Sequence, residues 1–331
     1  MERNSEPVLK VERSLAIDVF RGITISAMVF VNIIGIFNNT PSWNKHTSDF
    51  GLTYVDLVAS FFIFTISLTY HKSFKRRKEK FGSLNTYLQF LRRYGAFIGF
   101  GFLGALSYSP SGISFSWGVL QAIGFAGIFT LLFINFRIIV RFIISIYLLI
   151  FYQFFSIVEL IIDENTIVLS EMILTDSHGG FIGGFGWTIL MLMATVIGEL
   201  FEKKELKKII LFSILFSTVG VILALIFGIS KQRVNISYIT LSIGLGGILF
   251  CILWDIYENN ESTNKKSRIF QPQGKNAFAL YVFHGILYGF TLLLIPESIG
   301  WGIILIVGVV NMLIIWLLAC ILDRNNIYII I

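Results

Sequence analysis

The chain has 331 residues, of which 55% are apolar and only 14% are charged, and its formal net charge is +6. Soluble proteins carry about 25% charged residues, so this composition excludes an ordinary soluble enzyme, a disordered chain and a disulfide-stabilised secreted domain. A spanning helix uses about 20 residues, and roughly ten spans with short loops would fill nearly the whole length. The composition therefore predicts an all-α integral membrane protein embedded in the lipid bilayer.

Ten apolar segments follow one another along the chain, each with a length typical of a spanning helix. They cover residues 20–37, 53–70, 94–110, 118–136, 138–162, 182–201, 208–229, 236–254, 276–295 and 300–322. The fourth and fifth segments are barely separated, by Phe136 and Arg137. We predict a bundle of about ten transmembrane helices, forming a single transmembrane domain over residues 1–331 with a short cytoplasmic tail at 1–13.

The basic residues are divided unevenly between the two sides of this bundle. With the N-terminus in the cytoplasm, 23 of the 26 Lys and Arg residues fall on the inner side, and only Lys45, Lys231 and Arg233 fall outside. Cytoplasmic loops of membrane proteins carry such an excess, so both termini are predicted to be cytoplasmic. The positive charge is thus a topology signal. Nucleic acid is not an expected partner, because no aromatic residues alternate with the basic runs.

Motifs of soluble enzymes and metal sites are missing from the sequence. Cys251 and Cys320 lie in apolar runs with no metal-binding spacing. The glycine-rich run GGFIGGFG at 179–186 lacks the strand-to-helix context of a dinucleotide site. We therefore expect no metal.

Polar side chains within or beside the apolar segments are candidates for function, because burying them is costly unless they are paired or hydrated. The main candidates are Asn32, His46, Asp56, Gln121 and His284. Structural alternatives exist for some of them: Asp56 lies near a span end and could reach water, and His284 could hydrogen-bond between helices. His46 lies in an outer loop, and histidine changes charge near neutral pH, which suits proton transfer.

Several segments resemble one known family, the transmembrane catalytic region of heparan-α-glucosaminide N-acetyltransferase. The resemblance is carried by RSLAIDVFRGITISAMVFVNIIG at 13–35, KHTSDFGLTYVDLVASFFIF at 45–64 and GKNAFALYVFHG at 274–285. GVLQAIG at 118–124 and SKQRVNISYIT at 230–240 are weaker matches in the same order.

The resemblance implies transfer of an acetyl group from cytosolic acetyl-CoA, the co-substrate, to the amine of a glucosamine on the far side of the membrane. It implies His46 as the catalytic histidine, acting as base or as acyl carrier, and Asn32 as its partner. The further pocket candidates are Asp56, Arg92, Arg93, Gln121, Lys231, Asn276 and His284. Among these, Arg92 and Arg93 are expected to contact the CoA phosphates, because arginine suits phosphate binding.

The sequence therefore predicts a multi-pass acyltransferase of the plasma membrane, with a glycan or amino sugar as acceptor, and it leaves a homodimer open. Ala122 and His178 stand where the family pattern has an arginine and an acid, which bears on the acceptor and the donor pocket. Besides a non-catalytic scaffold, two alternatives remain. One is O-acylation of a sugar hydroxyl. The other is a secondary transporter, which is disfavoured because transporters commonly have broken helices and no proline interrupts any segment here.

Overall fold

A computed structural model of the chain describes residues 13–109, 112–156, 159–162, 165–168, 177–259 and 269–329. Over these residues the structure is dominated by helices. They are α1 (Leu15–Gly35), α2 (Tyr54–Phe81), α3 (Ser83–Gly104), α4 (Val119–Thr130), α5 (Ile138–Ser156), α6 (Gly180–Glu202), α7 (Leu206–Phe227), α8 (Ile236–Trp254), α9 (Gln271–Lys275), α10 (Ala277–Leu294) and α11 (Trp301–Arg324).

Eight helices of the described residues are long and apolar enough to cross a membrane, namely α1, α2, α5, α6, α7, α8, α10 and α11. The predicted count was about ten, and the two differences are α3 and α4. The helix α3 has 22 residues but carries Arg92 and Arg93 near its middle. The helix α4 has only 12 residues, which rise about 18 Å, against about 30 Å of hydrocarbon core.

The helix α2 is longer than the apolar segment that predicts it. It has 28 residues and continues through the basic run HKSFKRRKEK at 71–80, and Gly82 alone separates it from α3. Lysine, arginine and glutamate are good helix formers, which explains why this charged segment extends the helix. The predicted inner loop after residue 70 is therefore mostly helical.

Two short β-hairpins depart from the all-α prediction. The strand β1 (Leu106–Ser109) pairs with β2 (Gly112–Phe115), and β3 (Glu159–Ile162) pairs with β4 (Asn165–Val168), both antiparallel. The strands β1 and β3 lie at the ends of the segments 94–110 and 138–162, which were predicted to be helical throughout. Short apolar runs do not distinguish helix from strand by periodicity, which accounts for the difference.

Four helices form the centre of the bundle and four lie at its periphery. In α1, α2, α6 and α8, 72–83% of the most apolar 18-residue stretch is buried, whereas the buried share of that stretch is 22–28% in α5, α7, α10 and α11. The exposed apolar side chains of the outer four helices suit contact with lipid. The polar groups of the central helices are shielded from that lipid.

The packing of α1 against α9 depends on two glycines. A Cβ at Gly22 would overlap the carbonyl oxygen of Phe270, and a Cβ at Gly274 would overlap that of Asp18. Neither position has room for a side chain. An ion pair of Asp18 with Arg21 lies on α1 beside this contact, at 3.6 Å.

Segments predicted on the same side of the membrane meet in the structure. At the outer end, the Asn38 N–H donates to the Glu297 carbonyl at 3.0 Å and the Gly51 N–H donates to the Ile229 carbonyl at 2.8 Å. At the opposite end, Arg141 is bonded to Glu199. These contacts agree with the predicted grouping of the loops, while the side occupied by the termini stays a prediction.

Candidate active site

The loop between α1 and α2 carries His46 and is closed by the start of α2. After a 3₁₀ turn at Ser42–Asn44, the chain runs to Thr53, the N-cap of α2. The Thr53 N–H donates to Asp56 Oδ2 at 3.0 Å, and the Thr53 hydroxyl donates to the Lys45 carbonyl at 2.9 Å. The sequence Thr-x-x-Asp therefore begins the helix as a reciprocal cap and fixes the Asp56 carboxylate below the loop.

His46 and Asp56 form a hydrogen-bonded dyad. His46 Nδ1 lies 2.8 Å from Asp56 Oδ1, and the Asp56 side chain is fully buried while that of His46 is 43% exposed. The other carboxylate oxygen also accepts from the Thr47 hydroxyl at 3.2 Å. When Nδ1 donates to this fixed carboxylate, Nε2 is left as a proton acceptor. The resemblance suggested both residues, but their pairing and the burial of Asp56 come from the structure.

A second loop, between α7 and α8, is tied to the His46 loop. Arg233 binds both carboxylate oxygens of Asp49, at 2.8 and 2.6 Å, and the Ser230 hydroxyl donates to the same carboxylate at 3.0 Å. The Arg233 hydrogen bond holds the pKa of Asp49 below its usual value. The Tyr238 hydroxyl donates to the Asp56 carbonyl at 2.7 Å, so this loop and the start of α8 are fastened to both parts of the dyad.

This second loop places Lys231 beside the dyad. Its side chain is only 4% exposed. Burial lowers the pKa of Lys231 to about 8, and the nearby charge of Asp56 acts in the opposite direction. Burial, followed by the charges of Lys231 and His46, holds the pKa of His178 well below its usual value. His178 is therefore neutral at pH 7, and its carbonyl accepts from Trp187 Nε1 at 2.9 Å.

Asn32 lies on α1, 17 residues after the helix begins, which corresponds to a rise of about 26 Å toward the end that precedes the His46 loop. Its side chain is half-buried. Among the described residues it forms no side-chain hydrogen bond. The amide is therefore available to a ligand near the end of α1 that precedes the His46 loop.

Gln121, Asn276 and His284 do not join the dyad. Gln121 accepts from the Gly118 N–H at 3.1 Å and begins α4, which is a structural role. Asn276 is buried between α9 and α10 and accepts from the Ile329 N–H at 3.1 Å. His284, 5% exposed, lies eight residues further along α10, about 12 Å by helical rise.

A basic cavity of about 1300 Å³ opens at the opposite end of the bundle. Nine basic residues line it: Arg13, Arg21, Lys72, Arg76, Arg77, Lys80, Arg93, Lys204 and Lys275. Three acidic residues also line it: Asp18, Glu202 and Glu258. The structure separates the two predicted phosphate contacts, because Arg93 lines the cavity whereas Arg92 is exposed and does not.

The cavity extends along α2 toward the dyad. Its lining residues on this helix run from Phe81 up to Phe62, and Phe62 is six residues from Asp56, about 9 Å by helical rise. One helix thus connects the basic cavity with the His46–Asp56 dyad. Within the described part of the chain, no group of three or more His, Cys, Asp or Glu residues is placed to hold a metal ion.

Residues 13–228 match the sequence profile described as heparan-alpha-glucosaminide N-acetyltransferase, catalytic. The match covers more than half of the chain and includes the dyad, Asn32 and Arg93, whereas Lys231, Asn276 and His284 lie beyond it. A search of curated proteins finds no match. The resemblance drawn from the sequence is confirmed.

Proposed function

We propose, since the chain belongs to the heparan-alpha-glucosaminide N-acetyltransferase catalytic family, that it transfers an acetyl group across a membrane. The donor is cytosolic acetyl-CoA, and the acceptor is an amino sugar on the outer side of the plasma membrane. The observation that carries the proposal is the His46–Asp56 dyad at one end of α2, with the basic cavity at the other end of the same helix.

The charge and size of the cavity suit the CoA nucleotide. Nine basic residues against three acidic ones leave a surplus of positive charge around about 1300 Å³, and CoA carries several phosphate charges. Arginine binds phosphate through paired hydrogen bonds. Arg77 and Arg93 are held over the rings of Phe90 and Tyr94, at 5.6 and 5.7 Å, which fixes two guanidinium groups near the cavity wall.

The reaction needs a base at the outer end, where the acceptor amine arrives. The amine forms a bond to the thioester carbonyl carbon, the C–S bond breaks, and CoA leaves as a thiolate. His46 Nε2 takes the proton from the attacking nitrogen, and the thiolate is then protonated. Asp56 holds the ring by Nδ1 at 2.8 Å and stabilises the imidazolium that forms, as buried carboxylates do for histidine bases.

Asn32 supplies a neutral hydrogen-bond donor for the developing oxyanion. Its amide is half-buried and forms no side-chain hydrogen bond with another described residue, so it is not committed to the packing of the bundle. Removing one such donor typically lowers turnover by about 10²–10³-fold.

The test is release of free CoA by the purified protein in lipid vesicles. Acetyl-CoA and glucosamine should yield CoA with wild type and not with His46→Ala. The matched control is His71→Ala, at the opposite end between Glu199 and Glu202, which should keep its activity. Equal background release by wild type and His46→Ala, together with solute movement across the vesicle membrane, would instead establish a transporter.

Two further measurements refine the chemistry. Radiolabelled acetyl-CoA without acceptor should label wild type but not His46→Ala if the histidine carries the acetyl group, and should label neither if it acts only as a base. Comparison of glucosamine with N-acetylglucosamine as acceptors separates N-acylation from O-acylation, because the second sugar offers hydroxyls but no free amine.

A further inference from the structure

Lys231 is a buried cation that the dyad does not account for. Its side chain is 4% exposed, and its ammonium forms no hydrogen bond or ion pair within 4 Å among the described residues. A buried charge without a partner costs several kcal/mol. Such a group is retained where a ligand or a reaction step supplies the missing partner.

The carboxylates around Lys231 are already engaged. Asp56 accepts from His46, Thr47 and Thr53. The carboxylate of Asp49 is bound at both oxygens by Arg233. Both of these carboxylates, which belong to the described residues, therefore have their own partners.

The loop around Lys231 fixes the lysine at the mouth of the site. On one side the Gly51 N–H donates to the Ile229 carbonyl at 2.8 Å. On the other, Asn235 accepts from the Tyr238 N–H at 3.1 Å and begins α8. The lysine is thus held between the His46 loop and the first turn of α8.

The neighbouring side chain of His178 does not compensate the positive charge of Lys231. His178, from the segment before α6, is neutral, and its Nδ1 is buried without a hydrogen-bond partner. A second carboxylate at this position would neutralise the lysine. A neutral histidine supplies no such compensation.

We propose that Lys231 is a catalytic residue that donates a hydrogen bond to the acetyl carbonyl oxygen of the thioester. This inference rests on the proposed transferase function. As the amine bonds to the carbonyl carbon, the carbonyl electron pair moves to oxygen, and the Lys231 N–H donates its hydrogen bond to that oxygen. The pair returns as the C–S bond breaks, and the proton from nitrogen passes through His46 to the departing thiolate.

A cation at this point also acts on the acceptor. A positive charge near His46 disfavours an amino sugar in its ammonium form and favours the neutral amine, because like charges repel strongly where water is scarce. The neutral amine is the nucleophile. Lys231 thereby assists both the electrophile and the nucleophile without contacting the proton that His46 removes.

The experiment measures steady-state kinetics of Lys231→Met, with Lys231→Arg as the conservative variant and Lys207→Met, an exposed lysine on α7, as the matched control. For Lys231→Met, kcat should fall by about 10²–10³-fold, the usual loss of one oxyanion donor. The KM values for acetyl-CoA and glucosamine should change little. Lys231→Arg should recover part of kcat.

The pH profile separates catalysis from structure. The charges that face Lys231 are those of Asp56 and His46, with neutral His178 beside them. Because the pKa of Lys231 is lowered to about 8, the ammonium is present below that pH and lost above it. Wild-type kcat should fall as the pH rises through about 8. This decline should be absent from the residual activity of Lys231→Met.

Distinct outcomes overturn the inference. A raised KM for glucosamine at constant kcat would make Lys231 an acceptor-binding residue. A lowered melting temperature with an unchanged alkaline decline would make it purely structural. Full activity of Lys231→Met in an active wild-type background refutes this inference alone, whereas a wild type that releases no CoA refutes the transferase function and this inference with it.

Discussion

Exchange of Asp56 for asparagine tests how the dyad is held. Asparagine keeps the size of the side chain and one acceptor oxygen, but it loses the charge and gains an NH₂ group. One oxygen of Asp56 receives the Thr53 N–H at 3.0 Å and the Thr47 hydroxyl at 3.2 Å, while the other receives His46 Nδ1 at 2.8 Å. The asparagine oxygen should stay with the two threonines, because turning the NH₂ toward the Thr53 N–H leaves a buried donor unpaired, at about 1–3 kcal/mol.

The NH₂ then faces His46. The ring must accept at Nδ1, so Nε2 carries the hydrogen and no longer takes a proton from the acceptor. For a histidine base paired with a buried aspartate, this change of tautomer lowers turnover by about 10⁴-fold, or about 5 kcal/mol. The fold should be little affected, since the contacts that begin α2 are kept.

The assay is CoA release by Asp56→Asn under saturating acetyl-CoA and glucosamine, alongside thermal unfolding in detergent. Thr53→Ala is the matched control. It removes the hydroxyl that donates to the Lys45 carbonyl at 2.9 Å and lies 3.1 Å from the Asp56 carboxylate, but it leaves the charge and the histidine contact. It should cost about 0.5–2 kcal/mol of stability and less than tenfold in turnover. Asp56→Asn with turnover within tenfold of wild type, or losses that parallel Thr53→Ala, would refute the orientation argument.

Three other substitutions have defined outcomes. Arg93→Glu should weaken acetyl-CoA binding, measured by calorimetry, more than Arg92→Glu, because only the first side chain lines the cavity; equal effects would move the phosphate site elsewhere. Gly22→Ala should lower stability by about 1–3 kcal/mol through overpacking, whereas Gly95→Ala, with open space around it, should be neutral or slightly stabilising in thermal unfolding. Arg141→Met should cost about 1–3 kcal/mol, because Glu199 loses its Arg141 partner but keeps its ion pair with Lys203 at 2.8 Å; an unchanged melting temperature would contradict this.

The sequence was informative about spans because apolar composition and length determine which helices cross a membrane. The eight long apolar helices all lie on predicted segments. The predicted spans and the observed helices differ where an apolar segment does not form one continuous helix. The segment 118–136 is apolar enough to span, yet its helix α4 stops at Thr130, and the strands beginning at Leu106 and Glu159 continue apolar runs that periodicity alone assigns to helix.

The membership of the site stays a prediction, and its arrangement could not be predicted from the sequence. Family resemblance suggested His46 and Asp56, but nothing in their spacing reveals that a helix cap places a carboxylate under the ring. It also grouped Gln121 with the pocket, where the structure gives it a role in beginning α4. The Asp49–Arg233 ion pair joins residues 184 positions apart, and a single sequence carries no signal for a contact of that range.

The 28 residues of α2 set a fixed distance between the His46–Asp56 dyad and the basic cavity. From Asp56 to Arg76 the helix rises about 30 Å, which is about the thickness of the hydrocarbon core. On the proposed orientation, a donor anchored by its phosphates at one end must deliver its thioester at a set distance from that anchor. Discrimination among thioesters would then depend on the length of the arm between phosphate and sulfur, and a shorter thiol ester would be chemically competent yet unable to reach His46 while held at the cavity.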